Sequence, residues 1–110
     1  MIQDRLDKIE ERLKQSNTVK ESDKAELLNL LTTLRMEIAD LSQTHHEQAE
    51  SIAGFAELSA HEATRSEKSP ALFDLSLEGL TSSVQGFEIS HPRLVGVINS
   101  FCTYLANMGI

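Results

Sequence analysis

His45, His46, Glu47 and Glu50 form the one cluster in this chain with the residue types of a metal site. On a helix, His46 and Glu50 are four apart and share a face. Zinc is usually held by three or four ligands. His61 and Glu62 could enlarge the set only from another chain or after the chain folds back. Nothing matches the His-Glu-x-x-His pattern of helical zinc sites. A metal or small-ligand site built from His45, His46 and Glu50 therefore stands as the alternative reading, behind a solvated polar face, and no cofactor is expected. His45 could also act as a polar layer that fixes register between packed helices.

His91 is the second histidine that could do chemistry. It precedes Pro92, and Glu88 lies three residues before it. A Glu–His pair becomes catalytic only beside a nucleophile or a substrate pocket. Ser90 and Ser100 are the hydroxyls on offer, and no Gly-x-Ser-x-Gly, phosphate loop or Cys-x-x-Cys is present. The structural reading makes His91 a helix-junction residue whose ring bonds backbone or Glu88. The single cysteine, Cys102, sits in Asn99-Ser100-Phe101-Cys102-Thr103-Tyr104, with no charge nearby. A reactive thiol needs an electropositive neighbourhood, so Cys102 reads as a small buried hydrophobe. These residues together point away from an enzyme.

Charge narrows the partners. The chain holds 17 acidic and 10 basic residues in 110, a net charge of -7. Nucleic-acid binding runs on Lys and Arg neutralising phosphates, and an anionic membrane surface selects for the same residues, so neither partner is expected. The N-terminus carries no apolar run of the secretory kind. The uncharged stretch from Leu94 to Ile110 is interrupted by Asn99, Ser100, Thr103 and Asn107 and falls short of the ~20 apolar residues of a membrane span. A cytoplasmic location is the expectation.

The elements that must position these residues read as helices. Pro70 and Pro92 are the only prolines, and β-branched runs are absent. Ile2, Leu6, Ile9 and Leu13 form one stripe. Asp4 with Lys8 and Glu10 with Lys14 place acid before base at four-residue spacing. Thr18 and Glu21 read as a capping box, with Ser22 as a rival cap. Leu27, Leu31, Leu34, Ile38 and Leu41 follow in 4-3-4-3 steps, which continue through His45 and Gln48 to Ile52 and Phe55. The spacing predicts one long helix over 20–64, bent near Gly54, with a break near Thr44-His45-His46 as the alternative.

Ser69 and Pro70 fit an N-cap and a first helical position. Phe73, Leu77, Leu80, Val84 and Phe87 continue the pattern, then His91, Leu94, Ile98, Phe101, Leu105 and Met108. Pro92 disfavours helix at His91, so a break there is expected rather than a kink. Gly109 fits a left-handed helix stop that would bring Ile110 onto Leu105. Gly79 and Gly86, seven apart, would share a face and allow close helix approach. Residues 69–110 carry only Asp74, Glu78, Glu88 and Arg93 as charges, so this third is expected to be enclosed by the fold or by a partner.

Phe87-Glu88-Ile89-Ser90-His91-Pro92-Arg93-Leu94 and Leu105-Ala106-Asn107-Met108-Gly109-Ile110 resemble a family of short bacterial proteins, the domain-of-unknown-function family 4404. The acidic, leucine-rich residues near Asp23 to Leu34 are similar too. That family has no assigned activity, so the resemblance implies a helical bacterial protein and no catalytic residues.

The reading that results is a single all-α domain over 1–110, charged over 1–68 and apolar over 69–110. It predicts an elongated helical bundle with coiled-coil-like seams and three to four helices per chain, near 2–15, 20–64, 70–89 and 92–108. The residues expected to form the seams and interface are Leu27, Leu31, Leu34, Ile38, Leu41, Phe73, Leu77, Phe87, His91, Pro92, Phe101, Leu105 and Gly109. The expected role is non-enzymatic: an oligomeric scaffold or protein-binding adaptor, with a homodimer favoured and a protein partner possible.

Overall fold

The computed structural model describes residues 1–108, so the helix stop read at Gly109 lies outside the described residues. Among the described residues five helices run: α1 (Ile2–Gln15), α2 (Glu21–Ser42), α3 (His46–Thr64), α4 (Pro70–Ser83) and α5 (Pro92–Ala106). The molecule measures 37 × 25 × 22 Å with a radius of gyration of 12.9 Å, close to the ~13 Å of a compact domain of this length. The all-α expectation holds. The elongated shape and the count of three to four helices do not.

The difference arises at one junction. Thr44 and His45 both donate their backbone N–H to the Leu41 carbonyl, at 3.1 and 2.8 Å. His45 leaves helical geometry at φ -134 and ψ 62. The long helix over 20–64 is therefore two helices, α2 and α3, folded back on each other. A single rod over those residues would reach about 68 Å at 1.5 Å per residue, nearly twice the molecule's longest dimension, and would leave its apolar stripe in water. Folding back buries that stripe within one chain.

Leu27, Leu31, Leu34, Ile38 and Leu41 are fully buried along α2, each contributing about 1.5–3 kcal/mol of apolar burial. On α3 the buried stripe is Ala49, Ala53, Ala56, Ala60 and Ala63, with Ile52 beside it. Gln48 and Phe55, which continue the leucine seam in the sequence, are exposed instead. Small side chains let α3 sit at the centre of the bundle, where it packs against α1, α2, α4 and α5. Leu6, Ile9 and Leu13 of α1, Phe73 and Leu80 of α4, and Leu94, Ile98, Phe101 and Leu105 of α5 close the core.

Local chemistry sets the ends. The capping box read at Thr18 and Glu21 does not form: the N-cap of α2 is Lys20, without a side-chain cap. Thr18 Oγ1 instead meets Ser16 Oγ at 3.2 Å. The Lys24 ammonium donates to the carbonyls of Lys14 and Ser16 at 3.4 and 3.2 Å, supplying a cation where α1 leaves its last carbonyls unpaired. Ser69 caps α4, its Oγ accepting from Leu72 N at 3.3 Å, with Pro70 at the first turn. α4 stops at Ser83, short of the expected 89, and Gly86 takes φ +97 in the turn that follows. Gly79 and Gly86 therefore do not share a helical face. Pro92 opens α5, as the break at His91 requires.

Candidate functional site

Two regions of the surface hold the candidate residues. At one end of the bundle, His45 is the N-cap of α3 and His91 the N-cap of α5, with nearly equal dihedrals of -134, 62 and -137, 62. Each follows a hydroxyl residue that meets its Nδ1: Thr44 Oγ1 at 2.8 Å and Ser90 Oγ at 3.0 Å. Their rings pack edge-on, centroids 6.4 Å apart, and both pack edge-on against Phe87 at 5.5 and 5.6 Å. Such edge contacts stabilise by roughly 0.5–1.5 kcal/mol each in aromatic pairs. The trio ties the α2–α3 junction to the α4–α5 turn. Glu88 does not reach His91; its Oε1 accepts from Gly86 N at 2.9 Å. His91 Nε2 faces Asp40 Oδ2 at 3.9 Å instead.

The metal reading at His45, His46 and Glu50 loses its geometry here. His46 Nε2 pairs with Glu50 Oε1 at 2.8 Å, one turn apart on α3, while the His45 ring turns towards Phe87 and His91. Among the described residues no three of His, Cys, Asp or Glu come together to hold a metal ion. His61 lies near Glu62 at 3.9 Å, and Glu62, itself buried, pairs with Arg65 at 2.9 Å. Cys102 is half-buried between α4 and α5, and burial raises its thiol pKa, with the Thr81 hydroxyl at 3.9 Å pulling weakly the other way. A thiol held protonated is a poor nucleophile.

The second region is the open side of α3. α1 and α4 each pack on α3 but not on each other, which leaves the outward stripe of α3 as the floor of a shallow furrow. Phe55 and Leu58 of α3 are 37% and 44% exposed, and Leu72 and Leu75 of α4 are 47% and 61% exposed. The Phe55 ring lies across Gly79: a Cβ there would sit 2.3 Å from Phe55 Cε1. So Gly79 provides the close approach that the sequence suggested, though to a ring rather than to a helix. On the α1 side, Arg5 Nη1 meets Glu57 Oε1 at 3.2 Å and Lys8 reaches the same carboxylate at 3.9 Å. Arg12 lines the furrow with Leu58 and His61. Asp74 and Glu78 of α4 are exposed as well, but they line the groove that α4 forms with Cys102, Thr103 and Ala106 of α5.

α1 divides its charges between its two flanks. Away from α3, Arg35 of α2 binds Gln3 at 2.9 Å, Asp7 at 2.7 Å and Glu10 at 3.3 Å. Glu10 also accepts from Lys14 at 2.9 Å, and this hydrogen bond, with Arg35, lowers its carboxyl pKa. The expected Asp4–Lys8 pair is replaced: Asp4 takes the N-terminal ammonium at 3.4 Å. Arg5, Lys8 and Arg12 are thereby left on the furrow side.

Residues 31–110 match the family described as Domain of unknown function (DUF4404). The chain belongs to the DUF4404 family. No curated protein and no solved structure matches it. In this DUF4404 chain the matched span begins inside α2 and takes in α3, α4 and α5. It therefore holds the His45–Phe87–His91 trio and the exposed apolar residues of α3 and α4, whereas α1 precedes it.

The remaining seam residues of the DUF4404 chain lie in or against the core. Phe73, Phe101 and Leu105 are buried, and Leu77 and Phe87 are partly buried against them. The apolar strip was missed in the sequence because Phe55 and Leu58 fall on or beside an apparent leucine seam. The signal that could have found it is the alanine stripe, whose 4-3-4-3 spacing claims the inner face of α3 and puts Phe55 and Leu58 outside. No helix among the described residues is long and apolar enough to cross a membrane.

Proposed function

We propose that this chain is a non-enzymatic protein-binding module, an oligomeric scaffold or adaptor, whose working surface is the strip of Phe55, Leu58, Leu72 and Leu75. The observation that supports this is their exposure, from 37% to 61%, on two helices that pack on each other. Scattered apolar residues on a surface are ordinary, but a patch rimmed by charge marks an interaction site. The strip stands on two helices that pack on each other, so it is presented rigidly and loses little entropy on binding. Facing helices would cover it with their own apolar stripes.

The test is solvent access in a native extract. Leu58→Cys and Leu75→Cys, each made in a Cys102→Ser background, are labelled with a maleimide in dilute purified protein and in extract. The expected result is slowed labelling in extract. Equal rates in both, with an exposed position such as Gln85→Cys as the reference, would rule the strip out as a binding surface.

A further inference from the structure

We infer that the groove between α4 and α5 takes a basic amphipathic helix from a partner protein. This rests on the exposed apolar face of α4 being a binding surface, and it names the chemistry of the occupant. The groove is open, with a volume of about 940 Å³, and its lining is more apolar than polar. Leu75, Leu77 and Gly79 line its α4 bank, and Cys102 and Ala106 its α5 bank. Leu75 is 61% exposed. Cys102 is half-buried, with its thiol 3.9 Å from Thr81 Oγ1. The charged residues in the lining are Asp74 and Glu78, both acidic. Neither carboxylate has an ion pair or a hydrogen bond among the described residues.

Charge complementarity selects the occupant. Asp74 and Glu78 are exposed and lie one turn apart on α4, a rise of about 6 Å. No basic residue lies on α4, and Arg93, at the start of α5, is not part of the lining. Two carboxylates without counter-ions beside apolar surface favour a partner that brings cations along with its apolar side chains. An anionic helix would meet like charge. The lining runs from Asp74 to Ser82 along α4, about 12 Å at 1.5 Å per residue, which is room for two turns of a helix. Gly79, Thr81, Ser82, Thr103 and Ala106 are small, so a third helix can approach both banks. The partner helix then sets an apolar stripe at helical spacing against Leu75, Leu77 and Ala106. Its Lys or Arg residues, four apart, sit on the flank over α4.

The experiment uses two synthetic amphipathic peptides with the same leucine stripe, one flanked by lysines and one by glutamates. Binding is read by fluorescence anisotropy at ~0.1 M salt. Charges more than ~10 Å apart are then largely screened, so the chain's net charge of -7 counts for less than carboxylates in contact. Wild type is expected to bind the lysine peptide roughly tenfold tighter than the glutamate peptide. Asp74→Asn/Glu78→Gln should weaken the lysine peptide about five- to tenfold, the share of two surface ion pairs, and Leu75→Gln should weaken both peptides. Glu11→Gln/Glu47→Gln removes the same charge at exposed positions outside the groove and should change binding less than about twofold. Bound lysine peptide should also slow maleimide labelling of Cys102 in wild type. Equal binding of both peptides, no binding of either, equal losses in the two neutralised variants, or an unprotected Cys102 at saturation would overturn the assignment. Protection of Cys102 that grows with the concentration of the chain alone would overturn it in favour of a second copy. Slowed labelling of Leu58→Cys and Leu75→Cys in extract then separates the failures: with it the binding surface stands with a partner of other chemistry, and without it both readings fall.

Discussion

Gly79→Ala measures the contact on which the furrow depends. In an open helix the change would stabilise by up to about 1 kcal/mol, because alanine is the better helix former. Here the new Cβ would lie 2.3, 2.5 and 3.0 Å from Cε1, Cδ1 and Cζ of Phe55, well inside the ~3.5–4.0 Å of a normal carbon contact. The ring must move by more than an ångström, and being 37% exposed it can swing outwards. Swinging out forfeits part of the buried area of a phenylalanine, about 1–2 kcal/mol of the ~1.5–3 kcal/mol for full burial. The two effects leave Gly79→Ala between neutral and ~1 kcal/mol destabilising. In a Phe55→Ala background the obstacle is gone, and the same change should stabilise by about 1 kcal/mol. The cycle thus yields a coupling of ~1–2 kcal/mol. Urea denaturation of the four proteins, followed by far-ultraviolet circular dichroism, reads it directly. If Gly79→Ala stabilises equally in both backgrounds, the ring does not lie on α4 and the description of the strip is wrong.

Ser59 is fully buried on α3 and its hydroxyl has no hydrogen-bond partner among the described residues. Ser59→Ala removes that unpaired group and is expected to raise stability by ~1 kcal/mol in urea melts; a loss of stability would show that the hydroxyl is satisfied. Gly86→Ala, at φ +97 with open space around it, should cost about 1 kcal/mol from backbone strain alone, and a melt matching wild type would place that turn in another conformation. For Cys102 the raised pKa means that the folded state prefers the neutral thiol. This contributes stability up to the ordinary thiol value of 9.0, and the contribution is lost as pH rises through the higher folded value. Alkylation by iodoacetamide at pH 8 should therefore be slower in the folded chain than in urea. Equal rates would contradict the burial.

Much of the local structure was legible in the sequence. Ser69 and Pro70 start α4, and Pro92 starts α5 after a break at His91, because proline fixes its own backbone and restricts its neighbour whatever surrounds it. The leucines of α2 announced their burial for the same reason: large apolar side chains at helical spacing have one favourable place to go. The histidines were harder. His45 and His91 lie 46 positions apart, and no periodicity within α3 or α5 signals that both would cap helices at one end and share Phe87. The family resemblance was likewise carried by local stretches, and it fixes membership without an activity.

What the sequence by itself determined was helical content, the acidic balance, the proline-set boundaries and the α2 stripe, all of which depend on neighbours within a few residues. The tertiary structure alone decided that the run from 20 to 64 folds in two. The 4-3-4-3 spacing continues unbroken through His45, so nothing local forbids one helix. The choice turns on what a lone chain must bury. A rod leaves its stripe wet, whereas a hairpin lets the alanines of α3 pack at the centre of the bundle. That same turn inwards puts Phe55 and Leu58 outside, which is why the candidate site was invisible until the helices were placed.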